Sequence, residues 1–360
     1  MFGRIIKINN LKHNIYADIK CADGVFHVKF DKNIEPRPHT NDIVEFTLGD
    51  IDNEEKLLTY NVKDINLTET CKTPNNINDD IVKIISAKNK FETIADKHFC
   101  SIKAIKVRTP VLGQYKGTSN VIPFETRNKA NKPLYLKFTH DFLLRGLVAD
   151  LMSPVYEIGN VFRNMGISWR HANEYSMLES HIPGTDLEYG INFAYNIIND
   201  FAMTFGCTEF QNMQIIDIRE SFRQFGADFN LMSFSEQTNF FKNIIKKSGK
   251  TFASKYQPVD VAPLAIRNKD ENLALDAEII YKSQGVAHIY VANNNYEQNI
   301  EIFKKQNSDT NAFDKTLLNK LKAGMPPTIM VAIGIDRLIA SLYGVSLNEM
   351  LANQKLVKTK

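Results

Sequence analysis

The sequence predicts an α+β protein with a small all-β unit at its N-terminus, and three observations support this. Over residues 1 to 70, short runs of β-branched and aromatic residues alternate with turn residues. From Asp80 onward, apolar residues recur at helical spacing in some segments and form extended runs in others. Between them lies a polar stretch, CKTPNNINDD at 71–80, which reads as a linker. With 360 residues and 43% hydrophobic content, the chain can bury a large core in one to three domains.

Composition narrows the class further. Net charge is +3, from 44 Lys and Arg against 41 Asp and Glu, which neither demands nor excludes nucleic acid. Cys21, Cys71, Cys100 and Cys207 are scattered without a CxxC pair, so they read as free thiols of an intracellular protein rather than disulfides or zinc ligands. No uninterrupted apolar run reaches membrane-spanning length. The opening MFGRIIKINNLKHN has no secretory-signal pattern. A soluble cytoplasmic chain with no membrane partner is expected.

Five candidate strands fall at 4–8, 15–19, 25–30, 43–48 and 57–62. Five strands in so short a span suggest a small barrel such as the oligonucleotide-binding fold. Phe26, His27, Lys29 and Phe30 are candidates for a nucleic-acid face. A purely structural barrel remains open.

After the linker, 80–96 has helical period through Ile81, Ile84, Ile85, Phe91 and Ile94. An extended run at 101–110 ends at Pro110, and further strands are expected at 123–126 and 134–139. A helix starts near His140 and Asp141, where an acid can bind a ligand or serve the helix terminus. The run 155–163 reads as a strand, 164–168 as a turn, and 169–179 as a second extended run. Paired as a hairpin, they bring Arg163, His171 and Tyr175 together. A guanidinium grips phosphate oxygens bidentately and an aromatic face stacks on a base, so the set suits a nucleotide. A surface hairpin with solvated charges is the alternative. A helix is expected at 187–205, followed by a less regular helical insertion at 208–256.

The hairpin carries FRNMG and RHANEYSMLE, which resemble motif 2 of class II aminoacyl-tRNA synthetases in the lysyl form, FRNEG and RHNPEFTMxE. The resemblance implies an antiparallel sheet flanked by helices over 81–360, in which Arg163 holds the α-phosphate of ATP. It also places His171 near the outer phosphates and Tyr175 on adenine. Met165 and the pair Ala172-Asn173 depart from the pattern. The ending Val107-Arg108-Thr109-Pro110 is similar to motif 1, whose helix and strand build a dimer interface, so a homodimer is implied. NDIVEFTLG and VKDINLTETCKTP resemble the end of the anticodon-binding barrel in the lysyl, aspartyl and asparaginyl branch. PVDVAPLA at 258–265 is similar to the lysyl-type PVEVSPLA.

Elsewhere the pattern is eroded. AEIIYKSQGVAHIYVANN lines up with a segment bearing two magnesium-holding acids, and carboxylates suit a hard cation bridging phosphates. Glu278 keeps the first acid, while Gly285 stands where the second belongs. His288 stands for an asparagine, Tyr290 for an aromatic, and Ala292 for an acid that holds the lysine ammonium. Asp141 matches the acid that receives the α-ammonium, Glu179 keeps the other lysine-binding acid, and His181 replaces a tyrosine. One acid and two histidines make a poor lysine pocket, because an unpaired buried ion costs several kcal/mol. GMPPT followed by GIDRL resembles motif 3, with Gly334 approaching the nucleotide and Arg337 meeting the γ-phosphate. Ile329, Met330, Val331 and Ala332 replace smaller residues and are expected to crowd the adenosine.

The expected function is a lysyl-type paralog that binds ATP and Mg2+ and activates an amino acid as its adenylate. Arg163 and Arg337 carry catalysis, and Glu278 is the metal ligand. Transfer to tRNA, transfer to a protein like the paralog that lysylates elongation factor P, and a non-catalytic descendant all remain open.

Overall fold

Alternating apolar and polar residues build the N-terminal unit, Met1–Asn78, as a closed five-stranded barrel in the order β1-β2-β3-β5-β4. Its strands are β1 (Phe2–Asn10), β2 (Asn14–Cys21), β3 (Gly24–Asp31), β4 (Ile43–Asp52) and β5 (Thr59–Glu69). The computed structural model describes residues 1–11, 13–31, 33–35, 37–52, 59–69, 79–114, 116, 121–166, 168, 171–247, 251–259, 261–269, 273–306 and 315–354. Leu57 and Leu58, and most of the expected linker, lie outside them.

Ile5, Ile15, Ile19, Val28, Phe30, Val44 and Phe46 fill the barrel core. The pleat therefore divides the expected binding face. Phe30 points inward and Phe26 packs against the core, while His27 bonds Asp18 and Lys29 lies 5.9 Å from the Tyr16 ring centroid. Two even-numbered and two odd-numbered positions of one strand cannot share a face when side chains alternate.

The second unit, Asp79–Lys360, is a mixed α/β body on an eight-stranded, largely antiparallel sheet. It opens with helix α1 (Asp79–Ser101), the two-residue β6 (Ile105–Lys106), β7 (Leu112–Gly113), β8 (Glu125–Arg127) and β9 (Pro133–Leu136). The extended run expected at 101–110 is mostly not a strand. The helix continues to Ser101, Lys103 turns the chain at φ 56°, and only Ile105 and Lys106 pair with the sheet. Next come α2 (Asp141–Leu151), β10 (Val155–Phe162), β11 (Glu174–Pro183) and α3 (Leu187–Met203). The hairpin forms, with Phe162 opposite Glu174 and Val155 opposite His181.

The stretch read as a helical insertion contains β12 (Gln214–Asp217), α4 (Ile218–Gln224), α5 (Phe234–Lys247) and β13 (Phe252–Lys255). Its two strands continue the main sheet. Then follow β14 (Asp276–Tyr281), β15 (Gln284–Ala292), α6 (Tyr296–Gln306), α7 (Lys315–Ala323), β16 (Thr328–Gly334), α8 (Ile335–Tyr343) and α9 (Leu347–Gln354). The sheet order is β12-β13-β14-β15-β16-β11-β10-β6, and β7-β9-β8 form a separate small sheet.

One face of the large sheet is the core. Leu178, Ile279, Ile289, Val331 and Ile333 meet Phe91 and Phe99 of α1, Ile191, Ile197 and Phe201 of α3, and Leu338 and Ile339 of α8. Phe99 stacks on Tyr156 at 4.0 Å between centroids. Each fully buried side chain of this size contributes roughly 1.5–3 kcal/mol, so this face fixes the sheet rigidly beneath the site. Among the described residues, no helix is long and apolar enough to cross a membrane.

Candidate active site

Strand alternation sends every second residue to the opposite face, where the pairing register lines them up in rows. One row runs Asp276, Tyr290, Met330, His181 across β14, β15, β16 and β11. The next runs Glu278, His288, Ala332, Glu179, and reaches Glu157 on β10. Above them opens a cavity of about 480 Å³. Arg163, His171, Tyr175, Glu278, Gly334 and Arg337 line it, together with Asp141, Glu179, His288 and Tyr290. The expected nucleotide and amino-acid residues thus meet in one place. His181 lies beneath, fully buried.

At the expected nucleotide end, the Arg163 guanidinium lies 5.5 Å from the Tyr175 ring centroid and its Nε donates to the Phe138 carbonyl at 3.2 Å. Arg337 sits in the first turn of α8, and one of its Nη atoms donates to the Gly285 carbonyl at 2.9 Å. Burial lowers its pKa; Tyr175 and Glu278 oppose that shift, and Arg163 adds to it. Burial likewise raises the Tyr175 phenol, against the pull of the two arginines. Two guanidiniums beside an aromatic face suit a polyanion carrying a base. His171 Nδ1 bonds the Ser168 hydroxyl at 2.8 Å in the connecting turn.

Gly285 shows how the remaining acid is placed. A Cβ built there would fall 1.6 Å from Glu278 Oε1, so the Glu278 carboxylate occupies the space where a side chain at 285 would begin. Among the described residues there is no cluster of three or more His, Cys, Asp or Glu suited to a metal ion. One carboxylate still fits the modest needs of magnesium, which is commonly held by one or two carboxylates plus substrate phosphates.

The expected amino-acid end is bonded to itself. Asp141 opens α2, and its Oδ1 accepts from Arg145 Nε at 3.2 Å and His181 Nε2 at 2.7 Å. Its Oδ2 accepts from the Tyr290 hydroxyl at 2.7 Å. Burial alone would raise this carboxyl, but Arg145, His181 and Tyr290 hold it well below the usual range. Arg145 is fully buried, and one of its Nη atoms also donates to the Tyr290 hydroxyl at 2.9 Å. Glu179 accepts from the Thr139 hydroxyl at 2.8 and 2.9 Å and from the His140 backbone. His288 pairs with Asp276; burial opposes its charge, yet Asp276 prevails and its pKa is pushed up to about 9. Ala292 is buried among Ala265, Met330 and their neighbours.

Met330 and Ala332 face the cavity, whereas Ile329 and Val331 face the core behind the sheet. The expected crowding therefore comes from two residues rather than four, because the strand period is two.

Sequence reasoning missed four supports. Arg145 was signalled by its i,i+4 spacing from Asp141 at a helix start. Asp276 lies two residues before Glu278, so it shares the site face. Asp336 has no such local signal: it accepts from the Ser176 backbone at 2.8 Å and pairs with Lys88 at 2.6 Å, tying β11, α8 and α1 together. The fourth is another buried acid, Glu157, which binds Thr109 through its hydroxyl at 2.6 Å and Lys137 at 2.6 Å, with His140 at 3.3 Å. Burial opposes ionisation of Glu157, but these partners bring its pKa down to about 2.

Comparison with known proteins fits this geometry. Residues 72–352 match the family described as tRNA synthetases class II (D, K and N). A lysine–tRNA ligase of Mycoplasma mobile is 27% identical over 305 residues, covering 73% of this chain and 63% of that protein. Those of Buchnera aphidicola (25% identical, 74% and 62% covered) and Enterococcus faecalis (29%, 66% and 57%) are similar. The chain spans less than two thirds of the length of these relatives.

Proposed function

The chain belongs to the class II tRNA synthetases of the D, K and N group, and on that premise we propose that it binds ATP and activates an amino acid as the aminoacyl-adenylate. The observation that carries this reading is the convergence of Arg163, Tyr175, Arg337 and Glu278 on the cavity that also holds Glu179 and His288. Tyr175 stacks on the adenine, Arg163 holds the α-phosphate, and Arg337 holds the outer phosphates. His171 lies towards the same phosphates, and the open backbone at Gly334 borders the nucleotide. The substrate carboxylate attacks the α-phosphorus in line, a P–O bond to the bridging oxygen breaks, and pyrophosphate leaves. No side chain acts as a covalent nucleophile. Rate comes from positioning and from charge placed where it develops. Mg2+, held by Glu278 and the phosphates, would neutralise and orient the polyphosphate.

The acceptor in this reading is tRNA, since lysine–tRNA ligases are the relatives and a β-barrel precedes the core. A homodimer through the α1 region and a cytoplasmic setting belong to the same reading. ATP–pyrophosphate exchange across a panel of amino acids tests it, together with the thermal shift in Mg-ATP. A second reading, a nucleotide-binding descendant without turnover, is favoured by Gly285, which leaves Glu278 as the one acid of the expected pair. A thermal shift in Mg-ATP without exchange by any amino acid selects it.

A further inference from the structure

In the expected amino-acid end of the cavity, the protein fills the deep position with its own cation. Asp141 spans the row of Tyr290, Met330 and His181, bonded to the residues on either side of Met330. Behind it, the Arg145 guanidinium pairs with Asp141, donates to Tyr290, and sits 5.7 Å from the Tyr290 ring centroid. One of its Nη atoms also reaches the Leu264 carbonyl at 3.4 Å, which ties α2 to the 258–265 segment. The next row beyond, Ala292 with Thr328, is fully buried. Floor space open to a substrate therefore stops at Met330, and the small residue that leaves room is Ala332, one row nearer the nucleotide end.

The charges agree with the shape. Asp141 is already neutralised by Arg145, and Asp276 by His288. A basic side chain reaching Ala332 would meet His288 beside it, and one pushed farther would meet Arg145, with the acids of both already engaged. Glu179 flanks Ala332, faces the cavity, and binds neutral donors only, the Thr139 hydroxyl and the His140 N–H. It is the carboxylate placed to meet a substrate ammonium.

Building on the adenylate reading above, we propose that this site selects an amino acid with a short, uncharged side chain and receives its α-ammonium at Glu179. The Asp141–Arg145 pair, with Tyr290, His181 and Met330, closes the position that a long basic side chain would occupy. Glu179 changes role accordingly, from a side-chain acid to the α-ammonium acid. Met330 sets the length limit.

The test is ATP–pyrophosphate exchange by the full chain with glycine, alanine, serine, methionine, glutamate and lysine. Each is paired with calorimetry in a non-hydrolysable ATP analogue. The expected result is exchange with one or more of the three short amino acids, with lysine lower by about 100-fold or more in kcat/KM, the scale on which a filled hydrophobic subsite discriminates. Glu179→Gln should raise KM for the short amino acid by roughly 30-fold or more while leaving the Mg-ATP thermal shift in place, as expected for loss of a charged hydrogen bond to substrate. Met330→Gly should raise kcat/KM for methionine by about tenfold or more. If that variant fails to fold, the calorimetric ranking of alanine above lysine on the wild-type chain decides. Exchange strongest with lysine overturns the inference and leaves the adenylate reading standing. Exchange with no amino acid overturns both.

Discussion

The two ends of the cavity are built on opposite plans. At one end Arg163, Tyr175 and Arg337 turn their polar and aromatic groups to the cavity, a guanidinium against a ring and a second guanidinium on a backbone carbonyl. At the other, Asp141, Arg145, His181 and Tyr290 bond to one another. The first end sets two guanidiniums, an aromatic ring and Glu278 at the open cavity. The second is bonded within itself. This teaches that an acid in the expected place, such as Asp141, is not thereby available; the partners that surround it decide that.

Several measurements would break or sharpen this contrast. The largest expected effect is on stability, at the self-bonded end. Arg145→Met leaves a buried carboxylate without its cation and should destabilise by about 3–5 kcal/mol, read by chemical denaturation. Asp141→Asn combined with it should recover part of that loss, because the pair goes together. A near-neutral Arg145→Met would show that Asp141 is not held as described.

The cationic end should respond in binding rather than in folding. Arg163→Ala should lower exchange by roughly 100- to 1000-fold, the usual cost of losing one preorganised donor to developing charge. The same variant should lose the Mg-ATP thermal shift while unfolding at nearly the wild-type denaturant concentration. A retained shift would move the nucleotide elsewhere.

The clamp beneath both ends comes next. Lys88→Met removes the cation from Asp336, which is buried, and should cost about 1–3 kcal/mol in stability. Because Asp336 also holds the Ser176 backbone next to Tyr175, exchange should weaken with it.

The smallest effect is a slope against pH. His288 has a folded pKa near 9, raised from 6.5 by Asp276 against the opposing pull of burial. Between those values the native state keeps a proton that the unfolded chain has released. Its stabilisation is complete below 6.5 and is lost as pH rises through 9. The melting temperature should therefore fall more steeply over that window in the wild type than in His288→Asn. Equal slopes would separate His288 from Asp276.

The two ends also differ in how far the sequence disclosed them. Arg163, Tyr175 and Arg337 lie in contiguous motifs, on a strand hairpin and a strand–helix junction whose local patterns are strong. The hairpin alone brings Arg163 and Tyr175 together; Arg337 joins them through the β11–β16 register and was legible from its motif rather than from its distance in the chain. The Asp141 cluster could not be seen the same way, because His181 and Tyr290 stand 40 and 149 positions from Asp141. Only the register of β11, β15 and β16 brings them under α2. The barrel shows the same limit in miniature: its strands were legible from composition, but which of Phe26, His27, Lys29 and Phe30 point inward depended on where the pleat begins. The short β6 was misjudged because helix α1 overran the boundary that its apolar residues suggested. At 208–256, β12 and β13 are only four residues each, too short to declare a period.

Gly285 also decides how Glu278 can stand. The Glu278 carboxylate lies where a side chain at 285 would begin, so the missing Cβ is what gives that carboxylate its berth. Its Oε1 is the far end of a flexible side chain, and any larger residue at 285 would be met first by a swing of Glu278 rather than by a shift of the strand. The glycine thus acts as a parking space: whatever fills it decides where the acid beside the two arginines points.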